Sequence, residues 1–252
     1  MRPVLFSIGD VGIYAYGVAI AIGFGLGILN AVRLSPREGL ARDLFWDLAI
    51  AYVVGGVAGA RLEYVRTHPE RFLADPLQVF ALREGGLVFY GGLAGALLCA
   101  GVVTWWRKSD PWRVLDLSAI GLAVGLAVTR VGCFLAGCCY GRPTELPWGV
   151  TFPEGANPPA GVPLHPTQLY ETVACGAMAA WLAWRRPDRR FDGELVGTMF
   201  VAYPLWRAFN ETLRGDLERG YAFGGVTNGQ ASSALLLAVG LTVLWTRRGT
   251  AR

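Results

Sequence analysis

The chain has 252 residues, of which 53% are hydrophobic and only 17% charged, with a formal net charge of +4. That is too little charge for an ordinary soluble domain, and so small a positive balance gives no ground for nucleic-acid binding. Its 34 glycines, nine tryptophans and nine tyrosines suit closely packed helices in a bilayer, whose interfaces favour rings that are dry at one end and wet at the other.

Seven apolar runs of roughly 20 residues are expected to cross the membrane as helices: Val11–Val32, Leu44–Val65, Gly86–Trp106, Leu115–Leu135, Leu169–Trp184, Leu195–Leu213 and Ala231–Trp245. The expectation is an all-α membrane protein forming one seven-helix domain over 1–252. The first run is long enough to span and only Arg2 precedes it, so it reads as a span rather than a cleaved leader. In the second run Gly55 and Gly59 form a small-xxx-small pair for helix packing, and Arg61 beyond them is a candidate outer-side site residue. Before and into the third run, Glu84-Gly85-Gly86 and Gly91-Gly92 bracket Phe89-Tyr90. Such a segment bends easily and lets a ligand meet backbone, so Tyr90, Gly91 and Gly92 are candidates.

The fourth run carries Arg130 and continues into Gly132, Cys133, Gly137, Cys138, Cys139, Gly141 and Arg142. A charge at membrane depth is costly and usually faces a protein interior or a wet cavity. A guanidinium fork matches phosphate geometry, so Arg130 and Arg142, with Gly141 allowing close approach, read as anion ligands. The plainer alternative is that Arg130 snorkels and Arg142 is a loop charge. The connection from about 141 to 165 holds six prolines and is expected to be an ordered, non-helical loop. His165-Pro166-Thr167-Gln168-Leu169-Tyr170-Glu171 then opens the fifth run. Pro166 fits a first helical turn, and His165 and Glu171 are placed for proton transfer or headgroup binding, or for capping. In the sixth run Tyr203, Arg207, Glu211 and Arg214 lie within about 80° of one another at 100° per residue. Arg207 and Glu211 can pair at i, i+4; a structural ion pair at the helix end is the alternative.

Thirteen of the 23 basic residues fall after odd-numbered spans: Arg33, Arg37, Arg42, Arg107, Lys108, Arg113, Arg185, Arg186, Arg189, Arg190, Arg247, Arg248 and Arg252. The positive-inside rule therefore puts the N-terminus outside, the C-terminus in the cytoplasm and the proline-rich loop outside. The spacing C-x4-C-C of Cys133, Cys138 and Cys139 is not a standard zinc pattern, and adjacent cysteines rarely share one ion. Packing residues are the expectation, with an outer-side disulfide as alternative, and no metal or organic cofactor is called for. No internal repeat argues for a transporter, and neither G-x-S-x-G nor H-E-x-x-H is present.

HPTQLYE, the R-x-G-x-F-x-x-G-x-x-x-G-R segment, GG-x-x-F-Y-GG and the Y-x-x-x-R-x-x-x-E-x-x-R stripe together resemble the prolipoprotein diacylglyceryl transferase family over nearly the whole chain. The resemblance extends to the Tyr16-Gly17 pair. It implies seven spans with an outside N-terminus in the bacterial cytoplasmic membrane. It also implies transfer of a diacylglyceryl group from phosphatidylglycerol to the lipobox cysteine thiol in a prolipoprotein signal peptide, releasing glycerol phosphate. By the same resemblance Arg130 and Arg207 are the essential arginines, and Tyr16, Tyr90, Glu171, Glu211 and Arg214 match further motif positions. The chain departs from the family pattern at Cys133, Ala136 and Cys138, where Asn, Asn and Glu are usual, and at Tyr90, where many members carry His. Arg130, Arg207, His165 and Tyr90 are the expected catalytic set. Tyr16, Arg61, Gly91, Gly92, Gly141, Arg142, Glu171, Tyr203, Glu211 and Arg214 are the expected substrate ligands. The alternatives are a sibling enzyme with another donor or acceptor, and a non-catalytic lipid or lipoprotein binder.

Overall fold

A computed structural model describes residues 4–9, 11–82, 85–154, 156–216 and 220–250. Glu84 and Arg252, which enter the expectations above, lie outside the described residues. Seven helices of 18 residues or more occur among those described: α1 (Ala15–Leu34), α2 (Arg42–Thr67), α4 (Phe89–Trp106), α5 (Pro111–Ala136), α6 (Thr167–Arg185), α7 (Glu194–Thr212) and α8 (Asn228–Arg247). Each falls on one of the predicted runs, and a short α3 (Pro69–Ala74) follows α2. Five of them, α1, α2, α4, α5 and α8, are long and apolar enough to cross a membrane. The other two, α6 and α7, carry the polar residues Gln168, Glu171, Glu194, Arg207, Asn210 and Glu211.

The connections hold three short antiparallel pairs: β1 (Val4–Ile8) with β2 (Val11–Tyr14), β3 (Val150–Thr151) with β4 (Pro163–Leu164), and β5 (Tyr221–Phe223) with β6 (Val226–Thr227). The first pair moves the start of the first span. Val11-Gly12-Ile13-Tyr14 was expected to be helical, but its β-branched and aromatic residues pair with β1, and the helix begins at Ala15. Helix α5 begins earlier than expected for a local reason: Asp110 Oδ1 accepts the amides of Trp112 (2.8 Å) and Arg113 (3.1 Å), with Pro111 in the first turn. At α8, Thr227 and Gln230 form a reciprocal capping box.

The chain divides into two compact units, Met1–Ala31 with Leu115–Arg252, and Val32–Val114. In the larger unit α1 meets α5 backbone to backbone. A Cβ built on Gly27 would lie 2.7 Å from the Gly121 carbonyl oxygen, and one on Gly23 2.8 Å from that of Gly125. Leu117, Ile120, Ala123, Leu182, Leu195 and Met199 are buried in this unit. In the smaller unit α2 and α4 share a glycine seam. A Cβ on Gly59 would lie 2.3 Å from Gly91 O, and one on Gly95 2.2 Å from Gly55 O. Large apolar side chains remain exposed on the helices, among them Leu98, Val102 and Trp105 of α4 and Leu235 and Leu241 of α8. Exposure of this kind is what a hydrocarbon solvent permits, because lipid leaves only the backbone and polar groups to be satisfied internally.

Candidate functional site

The site lies in the larger unit and is built from three helix ends and the loop that joins them. Arg130 sits one and a half turns before the end of α5. Glu171 is in the second turn of α6, and Tyr203, Arg207, Asn210 and Glu211 line one face of α7. Glu171 is the hub. One of its carboxylate oxygens meets Arg130 Nη2 at 3.1 Å and accepts from the Tyr203 hydroxyl at 3.1 Å. The other meets Arg207 Nη1 at 3.5 Å and accepts from Asn210 Nδ2 at 3.1 Å. Arg207 Nη2 continues to Glu211 at 2.7 Å, and Arg214 Nη1 reaches the same carboxylate oxygen at 3.3 Å. Arg214 closes the chain on Asp216, with Nε at 2.8 Å from Oδ1 and a second contact from Nη2.

The result is an alternating line, Arg130, Glu171, Arg207, Glu211, Arg214, Asp216, whose six formal charges cancel. It is buried: the Glu171 and Glu211 side chains are 2% and 1% exposed and those of Arg130 and Arg207 16% and 13%. Buried charges persist only when paired and hydrogen-bonded, and each member here has at least one charged neighbour. Anion recognition at such a place rests on directed N–H donors rather than on net field. Among the described residues neither the Nε–H of Arg130 nor that of Arg207 makes a hydrogen bond, so each guanidinium keeps donor capacity beyond its ion pairs.

Backbone ladders hold these helix ends together. Gly141 bridges Arg214, Arg142 N donates to Leu213 O (2.8 Å), and Gly215 N donates to Tyr140 O (3.0 Å). His165 N donates to Arg142 O (3.0 Å). A Cβ on Gly141 would lie 2.4 Å from His165 Cβ, so this glycine serves close approach of two chain segments. Thr167 Oγ1 and Gln168 Nε2 donate to the carbonyls of Cys139 (2.7 Å) and Cys138 (2.6 Å), tying the start of α6 to the end of α5. The loop is non-helical over its described residues, and its Phe152 and Leu164 are buried.

His165 is half-buried. Its Nδ1 lies 3.2 Å from the Tyr170 hydroxyl, which also accepts from Trp148 Nε1 at 2.8 Å. Burial, then the Arg142 charge, pushes its pKa below the ordinary 6.5, so the ring is neutral at pH 7. Arg142 itself is exposed, as is Tyr16 on α1.

The remaining expected residues belong to the smaller unit. Arg61 is buried, and its donors go to backbone: Nε to Val79 O (2.9 Å), Nη1 to Gly85 O (2.7 Å) and Gly86 O (3.2 Å), and Nη2 to Gln78 O and Ala81 O. Its guanidinium also lies 5.6 Å and 5.3 Å from the Tyr64 and Phe72 ring centroids. Arg61 thus ties down the carbonyls of Gln78, Val79, Ala81, Gly85 and Gly86 instead of presenting a free donor fork. A Cβ on Gly91 would meet Glu63 Cβ at 2.3 Å and one on Gly92 would meet Gly56 O at 3.1 Å, so both glycines serve the α2–α4 seam. Tyr90, in the first turn of α4, is exposed.

Three residues of the site escaped the sequence reading. Asn210 falls about 20° from Tyr203 on the helical wheel, inside the same stripe, and its position was the available signal. Gln168 stood inside the HPTQLYE motif without being singled out, and Asp216 had no signal beyond its polarity. The structure also gathers Cys133, Cys138 and Cys139, treated above as separate packing residues: their sulfurs all lie within 4.8 Å of one another as free thiols. A further buried cluster, Asp116 with Arg189 (3.2 Å) and Asp192 with Arg189 (3.0 Å), caps α7 through Asp116 hydrogen bonds from Gly193 N and Val196 N. Arg189 is therefore an internal ion-pair partner as well as one of the basic loop residues.

A sequence model of the prolipoprotein diacylglyceryl transferase family matches residues 3–246. The chain belongs to that family. It is 37% identical to a Geobacter sulfurreducens protein named phosphatidylglycerol–prolipoprotein diacylglyceryl transferase, across 98% of this chain and 96% of that one. A Solidesulfovibrio magneticus protein of the same name is 38% identical over 96% and 93% of the two chains. One from Clostridium tetani is 32% identical over 86% of each. As a member of a transferase family with several apolar helices, the chain is a multi-pass membrane enzyme.

Proposed function

We propose that the chain transfers the diacylglyceryl group of phosphatidylglycerol to the lipobox cysteine of prolipoproteins in the bacterial cytoplasmic membrane, with seven spans and an outside N-terminus. The observation that carries the reading is the convergence of Arg130 and Arg207 on the two oxygens of one buried carboxylate, each with donor capacity left over. A phosphodiester seated beside Glu171 would be held by both forks, which is how planar guanidinium groups select phosphate.

The cysteine sulfur attacks the glycerol carbon that bears the phosphate. A carbon–sulfur bond forms, the carbon–oxygen bond breaks, and the electron pair leaves on glycerol phosphate. Arg130 and Arg207 stabilise the charge that grows on the leaving phosphate, in a buried site where fixed donors act strongly. The thiol must lose its proton because the thiolate is the nucleophile. His165, held neutral by burial and Arg142, is a base of suitable protonation state on the same loop–helix junction. Tyr90 is retained as a second candidate for assisting that proton. Glu171, Tyr203 and Asn210 fix the arginines, with Glu211 and Arg214 behind them, and Tyr16, Arg142 and Gly141 border the same region.

The test is a purified assay with phosphatidylglycerol vesicles and a lipobox peptide. Peptide-dependent glycerol phosphate release that is lost on Cys→Ser replacement in the peptide supports the reading. Release without peptide, or none with a peptide that a relative accepts, refutes it.

A further inference from the structure

The end of α5 brings three thiols together for a local reason. Gly137, with φ +73°, is the left-handed residue that terminates the helix. Its amide donates to Phe134 O (3.2 Å) and the amide of Cys138 donates to Cys133 O (3.2 Å). These are the paired hydrogen bonds of a Schellman motif, which sets the second residue past the cap against the residue five before it. Cys138 and Cys133 occupy those two positions. Cys139 is itself left-handed, φ +59°, and its sulfur joins them, so that all three lie within 4.8 Å of one another. Adjacency of Cys138 and Cys139 is thus no obstacle to a shared ligand, because the backbone already turns both side chains to one place.

The surroundings favour anionic sulfur. Arg130 Nη1 lies 3.9 Å from Cys133 Sγ and 3.8 Å from Cys139 Sγ, and a neighbouring guanidinium stabilises thiolate.

We propose that Cys133, Cys138 and Cys139 bind one Cu(I) ion in a three-coordinate thiolate site. Metal–thiolate bonds of about 2.3 Å in a trigonal plane separate the sulfurs by about 4 Å, which the cluster reaches by closing less than about 1 Å. Thiolate softness selects Cu(I), zinc or iron–sulfur centres. Structural zinc is almost always four-coordinate, and the described residues supply three ligands here. A three-coordinate soft ion suits that number. Three copper–sulfur bonds form, each thiol still protonated gives its proton to water, and no electron is transferred. The excess negative charge of the trithiolate faces Arg130 and Arg214.

The experiment uses the full chain in detergent, reduced, stripped of metal and handled without oxygen. Cu(I) is titrated in competition with bicinchoninate, and X-ray absorption is recorded on the loaded protein. The expected result is one Cu(I) per chain with three sulfur neighbours. Cys133→Ala, Cys138→Ala and Cys139→Ala should each weaken binding by more than about 10–100-fold, the loss typical of groups merely supporting a metal ligand. Cys99→Ala and Cys175→Ala should leave it unchanged. If a ligand variant fails to fold, the stoichiometry and sulfur count of the unmodified chain decide alone. Binding below half-stoichiometry, a shell of two sulfurs or fewer, or retention of Zn(II) in preference to Cu(I) overturns the site. None of these readouts depends on transferase activity, so the site stands or falls apart from the reading of Arg130 and Arg207.

Discussion

At the scale of the residue, the buried charge line decides what each substitution does. Arg130→Ala and Arg207→Ala should each lower kcat/KM by about 10²–10³, the loss that follows removal of one donor aimed at developing charge. Full activity of both variants with phosphatidylglycerol rejects the phosphate assignment. Glu171→Ala leaves two guanidinium groups facing each other without their shared carboxylate. Breaking a buried pair costs about 3–5 kcal/mol, so denaturant unfolding in detergent should move by that order, while Asp192→Ala at the far end of α7 should leave activity intact. His165 gives a pH dependence of defined sign. Its neutral form accepts the thiol proton and its pKa lies below 6.5, so kcat/KM holds above pH 6.5 and falls as pH drops through that lowered value. His165→Gln should remove the acid limb; a limb centred above pH 6.5 contradicts the role. The stripe of Tyr203, Arg207, Glu211 and Arg214 was legible because it depends only on helical period. That Glu171 is the hub was not, because its partners come from two other helices, α5 and α7. Arg61 shows the reverse case. Polar and next to a glycine pair, it looked like a ligand, yet its donors satisfy carbonyls of a segment whose path no periodicity encodes.

At the scale of the element, small residues set how closely helices pack. Where a Cβ on Gly59 would lie 2.3 Å from a backbone oxygen, Gly59→Ala forces α2 and α4 apart. Overpacking of this kind costs typically about 1–3 kcal/mol, readable as a lower midpoint of thermal unfolding in detergent, and Gly101→Ala on α4, with open space around it, is the matched control. The seven long helices fall on the expected apolar runs, and for the five that are long and apolar enough to cross a membrane the length is the one lipid imposes on a crossing chain. The start of α1 could not be placed from apolar length, because the pairing of Val11–Tyr14 with Val4–Ile8 is a tertiary choice that overrides a merely apolar run. The Schellman turn was written plainly in Cys133-Phe-Leu-Ala-Gly137-Cys138. Reading it needed only the rule that glycine after a helix is left-handed.

At the scale of the whole molecule, the proposed orientation in the bilayer rests on the distribution of arginines along the chain. Alkaline phosphatase fused at Gly161 should be active in the periplasm, and the same reporter fused at Pro187 should be inactive. The opposite pattern inverts the topology and removes the site from the face where exported precursors present their cysteine.

The polar character of α6 and α7 has a consequence for biogenesis. A central arginine or aspartate costs about 2.5–3.5 kcal/mol when a helix partitions into lipid alone. Neither α6 nor α7 is among the helices apolar enough to do so unaided. Their charges find partners in one another and in Arg130 of α5, which is synthesised before both. The ion pairs that shape the site would then act first as an insertion device. On the proposed seven-span topology the nascent chain would leave the translocon as a bonded group of helices, and a ribosome stalled between α6 and α7 would hold Glu171 to Arg130 with Arg207, its other cationic partner, still unmade.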